Sequence, residues 1–269
     1  AIINCIIILT IYIYEMIIKN TKSFMDFCNQ VGIHDLINKS PTTKFKEIDK
    51  LKLDKAITRN NYKDLGGEKH EIEKNIVEPG KKEKLETLKK KINQQTLSIK
   101  ETATNFVFSD GNIDSNVMLI GDAPGSEEDR SGIPFSGEDG KLLSLMLSYI
   151  GLNKNNCYFS NLVFWRPPGN RVPNKEEIKI CLPFTREHIK IIQPKLLVLV
   201  GGIAANSILN FSESVTKLRG REFSYQIKEK KIKAHIIYHP SFLINSPIEK
   251  KRTWFDLTEI SKIIENEKY

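Results

Sequence analysis

Val117-Met-Leu-Ile-Gly-Asp-Ala-Pro-Gly125 decides how this chain folds. Four apolar residues, too few for a helix, run straight into a turn bounded by glycines, as a buried strand does when it delivers a polar cluster to its C-terminal end. The arrangement returns at Ile236-Ile-Tyr-His-Pro-Ser-Phe-Leu243, where a second apolar run ends on His239. Open α/β sheets build their ligand crevices outside the C-terminal ends of their strands, so the two clusters point to one site.

Outward from these two runs, strands are predicted over 105–108, 117–120, 158–164, 196–200, 222–226 and 234–238. Helices are predicted between them over 141–150, 175–192, 203–210 and 249–265. This alternation implies an α/β fold, a three-layer α/β/α sandwich around a mostly parallel sheet. Asn174 followed by Glu177 reads as a capping box, Gly140 precedes an amphipathic run, and Pro183 is expected to kink or split its helix.

The N-terminal part reads differently. The apolar run over residues 1–14 is shorter than the about 20 residues of a membrane helix and has neither the basic start nor the cleavage site of a signal peptide. Residues 1–15 are therefore expected to lie outside the folded protein, through a gene start placed too early, with a membrane anchor as the competing reading. Residues 16–39 form a helical segment with Phe24, Phe27, Val31, Leu36 and Ile37 on its apolar side, broken around Gly32. Residues 40–91 make a Lys/Glu-rich linker, helical from 82 to 91 where it joins a catalytic domain over 92–269. The net charge of +8 favours a polyanionic partner. Cys5, Cys28, Cys157 and Cys181 are widely separated, which indicates neither a disulfide framework nor a zinc module and suits a reducing cytoplasm.

Several side chains are placed for chemistry. Asp122 at a strand tip either orients a water or a positive charge, or is the solvated acid of a plain Pro-Gly turn. Phe135, in the loop Gly132-Ile-Pro-Phe-Ser-Gly137, either stacks on a planar ring or plugs the core. Asn161 carries a donor and an acceptor that match the edge of a pyrimidine, or serves as a satisfied structural amide. Arg166 and Arg171 flank a stiff Pro-Pro-Gly-Asn loop and either meet phosphates or are solvated. His239 either donates to an oxygen that becomes negative as a bond breaks or is a structural histidine. The apolar loop after it is either a wedge for a base stack or a core anchor. Glu127-Glu-Asp129 reads as helix capping, and Gly201-Gly202 as a generic anion cradle at a helix start.

Taken in order, Asn105-Phe-Val-Phe-Ser-Asp-Gly111, Gly121-Asp-Ala-Pro-Gly125 with Glu128-Asp129, Gly132-Ile-Pro-Phe-Ser-Gly137, Asn161 with Arg166-Pro-Pro-Gly-Asn-Arg171, Leu218-Arg-Gly220 and His239-Pro-Ser-Phe-Leu243 resemble the family-four uracil-DNA glycosylases. The resemblance implies hydrolysis of the N-glycosidic bond of uracil in DNA, leaving an abasic site. It implies that Phe135 stacks on the extruded base, Asn161 reads its edge, His239 stabilises the departing anion and Asp122 positions water or steadies the sugar cation. Gly121 and Ala123 then contact the substrate, while Arg166, Arg171, Ser241 and Leu243 contact DNA. A base inside a duplex must be extruded before it can be cut out, and these residue types supply the clamp, wedge and pocket for that.

Three departures from the family are visible. The family's acid at position 122 is usually Glu, one methylene longer, and Asn245 stands where Arg is frequent. Many members hold a four-iron, four-sulfur cluster on four cysteines, but Gln94, Leu97 and Trp165 occupy three of those places and only Cys181 remains, so no cluster and no other cofactor is expected. The expectation is thus a monomeric, cytoplasmic DNA-repair hydrolase acting on uracil-containing DNA without stable membrane association. A catalytically silent DNA-binding module of the same fold, or a small nucleotide-binding enzyme using Gly201-Gly202, are the alternatives.

Overall fold

Alternate residues of one strand feed two separate cores, and that is the key to the architecture. In the computed structural model, which describes residues 23–31 and 80–267, six strands form one sheet: β1 (Ser109–Gly111), β2 (Val117–Gly121), β3 (Cys157–Asn161), β4 (Leu196–Val200), β5 (Phe223–Ile227) and β6 (Lys230–Ile237). Their order is β1-β3-β2-β4-β6-β5. The inner four are parallel, and β1 and β5 are antiparallel edges. Met118 and Ile120 of β2 join the core on one face, while Val117 and Leu119 join the core on the other.

The first face is covered by α2 (Lys81–Asn93), α6 (Lys175–Ile192) and α7 (Gly202–Leu209). The second is covered by α1 (residues 23–30), α5 (Glu138–Ser148) and α10 (Lys250–Asn266). With both faces covered, β2, β3 and β4 bury every residue, and β2 and β4 read as continuous apolar runs instead of alternating ones. The three-layer α/β/α class is the predicted one.

Several boundaries differ from the sequence reading, each for a local reason. Residues 105–108 are not a strand; Val107 N–H still reaches the Phe164 carbonyl at 2.9 Å, and regular pairing begins at Ser109. β3 stops at Asn161 because the N–H groups of Leu162 and Val163 turn to the carbonyls of Gly121 and Asp122, at 2.8 and 3.2 Å. Pro183 does not split α6. It lies on the exposed side, and the Lys179 carbonyl that loses its partner belongs to an exposed residue, so water can take the bond. The capping box is as predicted: Asn174 Oδ1 accepts from Glu177 N–H at 2.8 Å and Glu177 Oε2 from Asn174 N–H at 2.7 Å. α5 begins before Gly140, which is needed because a Cβ there would stand 1.7 Å from the Phe135 carbonyl oxygen.

Two peripheral helices are tied into these cores. Phe27 of α1 sits 4.8 Å from the Trp254 ring and 5.5 Å from Tyr149, and the buried Lys250 ammonium donates to the Val31 carbonyl. α2, within the range read as linker, buries Leu85, Leu88 and Ile92. The remaining N-terminal expectations, for residues 1–15, for the segment beyond Gly32 and for residues 40–79, lie outside the described residues. Among the described residues no helix is long and apolar enough to cross a membrane.

Candidate active site

Parallel pairing brings distant turns to one edge. Gly121 stands beside Asn161 on one side and Val200 on the other, and Val200 beside Ile237. The residues that follow these strand ends therefore converge. They open a cavity of about 450 Å³ whose lining includes Asp122, Phe135, Asn161, Gly201, His239 and Phe242. Both strand-end clusters of the sequence meet here.

Asn161 is only 3 % exposed, yet its side-chain amide makes no hydrogen bond among the described residues. Asn161 lines the cavity, so its donors and its acceptor are open to whatever enters there. Gly121 makes room for it: a Cβ there would lie 2.5 Å from Asn161 Oδ1 and 2.7 Å from the Phe135 ring. Phe135 itself has φ +54°, a left-handed conformation that an aromatic residue seldom adopts. Strain of this sort persists where packing fixes it from several sides. Here the Gly140 contact holds the backbone, and the ring stands edge-on to Phe159 at 6.0 Å and tilted towards His239 at 6.5 Å.

The tautomer of His239 follows from its partners. Ser241 N–H, which can only donate, points at Nδ1 at 3.3 Å, and Ser241 Oγ lies 2.7 Å from the same nitrogen. Nδ1 is thus the acceptor, and Nε2 carries the proton. Burial pushes the imidazole down to about 4, so at neutral pH the ring is uncharged and offers a single N–H. Ser241, expected to contact DNA, spends both polar groups on orienting this histidine.

Asp122 occupies the anion cradle that the sequence left open to a ligand. Its Oδ1 accepts from Ala204 N–H at 2.7 Å, in the first turn of α7. Gly201, at φ +113°, has no room for a side chain, since a Cβ would lie 2.5 Å from Asp122 Oδ2. The chain's own carboxylate fills the helix N-terminus, which removes the reading of Gly201-Gly202 as a nucleotide site. Desolvation pushes Asp122 up to about 7 against the pull of the Ala204 and Ile203 N–H groups.

The other expected residues divide. Glu128 and Asp129 are structural: Glu128 Oε2 accepts from Gly125 N–H at 3.0 Å, and Asp129 Oδ1 from the N–H groups of Thr104 and Asn105 at 2.8 and 3.0 Å. Ala123 lines the cavity beside Asp122. Arg166 is half-buried, with Nε on Asn170 Oδ1 at 2.7 Å. Arg171 also lines the cavity but is forked onto the buried Glu177 at 2.6 and 2.9 Å, which neutralises much of its charge. Leu243 is a correction. In the helix α9 (Pro240–Asn245) it is fully buried as a core anchor, whereas Phe242 and Ile244 are 42 % and 45 % exposed. Successive helical residues point about 100° apart, and sequence order alone does not say which neighbour points out.

Two residues were missed. Asp139, half-buried in the first turn of α5, lines the same cavity. It follows the Phe135 loop by four residues, the only sequence signal it gives. Arg219, in the quoted Leu218-Arg-Gly220 motif, bonds Asp256 through two nitrogens at 2.8 and 2.9 Å, and its guanidinium lies 5.3 Å from the centroid of Tyr238, the residue before His239.

The residues at the iron–sulfur positions do not suit such a cluster. Leu97, Trp165 and Cys181 belong to one apolar core, with Phe106 packed 5.0 Å from the Trp165 ring and Lys100 Nζ 5.1 Å from its centroid. Burial pushes the lone Cys181 thiol up to about 12, and thiolates are what iron requires. Among the described residues no group of three or more His, Cys, Asp or Glu is arranged to hold a metal ion.

A mostly parallel sheet whose strand ends gather a strained aromatic, a buried amide without a protein partner, an anchored acid and a neutral histidine around one cavity defines the α/β protein. The chain belongs to the uracil DNA glycosylase superfamily, whose family model matches residues 108–258. It is 36 % identical over 184 residues to a type-4 uracil-DNA glycosylase of Sulfurisphaera tokodaii, covering 64 % of this chain and 83 % of the relative. It is 33 % identical over 167 residues to the type-4 enzyme of Archaeoglobus fulgidus, covering 61 % and 84 %, and 36 % identical over 144 residues to that of Thermotoga maritima, covering 53 % and 73 %.

Proposed function

We propose that this chain hydrolyses the N-glycosidic bond between uracil and deoxyribose in DNA and leaves an abasic site. The observation that carries the reading is the Asn161 amide, buried and unpaired beside the fixed ring of Phe135, a pair suited to reading the edge and face of one extruded pyrimidine. His239 Nε2–H stabilises the negative charge that develops on the uracil oxygen as the bond breaks. Its neutrality matters, because a ring that ionises near 4 stays a neutral donor throughout the physiological range. Asp122, fixed on α7, supplies a carboxylate charge for the oxocarbenium-like sugar once it ionises, at about pH 7. Gly121 and Ala123 shape the pocket, Arg166 meets phosphate, and the exposed Phe242 takes the wedge role expected of Leu243. No cofactor enters this scheme: the apolar packing of Leu97 and Trp165 supports a chain that works without an iron–sulfur cluster. The buried free thiols of Cys28, Cys157 and Cys181 suit a reducing cytoplasm.

The test is incubation with a uracil-containing oligonucleotide and a thymine control, followed by alkaline cleavage at abasic sites. Wild-type protein is expected to cut only the uracil strand, and His239→Ala to be slower by about 100-fold or more. Binding without abasic product would refute the enzyme reading and leave a DNA-binding module.

A further inference from the structure

Resting on that function, we propose that Asp139 is the carboxylate that accepts the proton of the attacking water, a division of labour in which Asp122 serves as a fixed charge. Three carboxylates line the cavity: Asp122, Glu128 and Asp139. Two are committed to backbone. Asp122 is held by Ala204 N–H at 2.7 Å, and Glu128 by Gly125 N–H at 3.0 Å. The Asp139 side chain has no hydrogen bond or ion pair among the described residues, so its lone pairs are available to a water in the cavity.

Its placement supports the role. Asp139 and Phe135 are joined through the contact between Gly140 and the Phe135 carbonyl, so the acid and the ring that would hold the base are positioned as one rigid piece. Its surroundings also raise its basicity. Partial burial, then the negative charges of Glu128 and Glu138, push its carboxyl above the usual range, and a stronger base takes a proton more readily. Arg171, Asp122, Tyr238 and His239 are the other titratable or charged groups lining the cavity beside Asp139 and Glu128. Arg171 is neutralised by Glu177, and His239 is uncharged, so no cation quenches Asp139.

The chemistry balances without a co-reactant. The bond from C1′ to N1 breaks, and its electron pair leaves with uracil, whose oxygen accepts the His239 hydrogen bond. The water oxygen forms the new bond to C1′. One water proton passes to Asp139 and from there to solvent, which returns a proton to the uracil anion.

Single-turnover cleavage of a uracil-containing duplex by wild type, Asp139→Asn, Asp139→Glu and Asp122→Asn, between pH 5.5 and 8.5, tests this. Asp139→Asn is expected to slow cleavage about 100-fold, with DNA affinity equal or higher, and to leave only the acid limb that protonation of Asp122 imposes. Asp139→Glu should recover part of the rate, because it keeps the base. Asp122→Asn should lower the rate but keep an acid limb belonging to Asp139. An Asp139→Asn protein that cuts within threefold of wild type with the same pH profile overturns the proposal, as does one whose only change is tighter DNA binding. Failure of wild type to cut at all would instead strike the function itself.

Discussion

Replacing Asp122 with Asn should make stability less dependent on pH, in a direction opposite to that of an ordinary acid. The folded protein keeps the Asp122 proton up to about pH 7, whereas the unfolded chain releases it near 3.9. Between those values the folded state binds more protons, so wild-type stability falls as pH rises, and the loss is complete only above 7. At 1.36 kcal/mol per pH unit the full effect between pH 5 and pH 8 is about 2.5 kcal/mol. Asp122 is half-buried on an open cavity, and screening by water there leaves about 1 kcal/mol. Asn keeps the bond from Ala204 N–H through its own oxygen and cannot ionise. The comparison is therefore a double difference: unfolding free energies of both proteins at pH 5 and pH 8, in which any pH-independent cost of the substitution cancels. Asp122→Asn should gain about 1 kcal/mol on wild type over that span, or about 2–4 °C in Tm. A difference that stays constant with pH, or runs the other way, would show that the carboxylate is already ionised at pH 5 and that its burial against α7 does not raise it.

Further outcomes follow from the same geometry. Leu243→Ala should cost about 2–5 kcal/mol of stability by opening a cavity, read by urea denaturation, while Phe242→Ala should leave stability nearly unchanged and weaken binding to a uracil duplex about tenfold. That second figure assumes loss of one stacking contact of about 1.4 kcal/mol. Arg219→Met should destabilise by about 3–5 kcal/mol, since it strands a buried carboxylate at Asp256, and adding Asp256→Leu should recover much of it. His188 and His235 are buried and His239 is half-buried, and all three are pushed down, to about 3, 4 and 4. Each must gain a proton on unfolding, so stability should fall by about 1.4 kcal/mol per histidine per pH unit as pH drops below about 6.5, and replacing His235 with Gln should make acid unfolding measurably shallower.

The parts of the fold that could be read without coordinates are those that one strand or helix determines by itself. The run at 196–200 is apolar throughout because both faces are covered, and α6 announces its start through Asn174 and Glu177. Boundaries failed where a distant contact decides them: β3 ends when its next N–H groups find the carbonyls after β2, and α5 starts early because Gly140 must touch Phe135. The site divides in the same way. Asp122, Phe135, Asn161 and His239 stand at strand ends or on loops of recognisable composition, so residue type and position bring them forward. Asp139 carries no such mark, for an acid in a first helical turn usually serves the helix dipole.

What the sequence determined by itself was the order of strands and helices, the pairing of two polar strand ends, and the residue types able to hold and cut out a base. Those depend on hydrophobic period and turn chemistry, which act over a few residues. Tertiary structure alone decided the state of each group. It gave Asp122 to the N-terminus of α7 and left Asp139 unpaired. It fixed the proton of His239 on Nε2 through Ser241, left the Asn161 amide without a protein partner, and turned Leu243 inward while Phe242 faces out. Protonation, tautomer and free bonding capacity depend on what lies within a few ångströms of an atom, and in this fold those neighbours come from distant segments, as Ala204 does for Asp122 from 82 residues away.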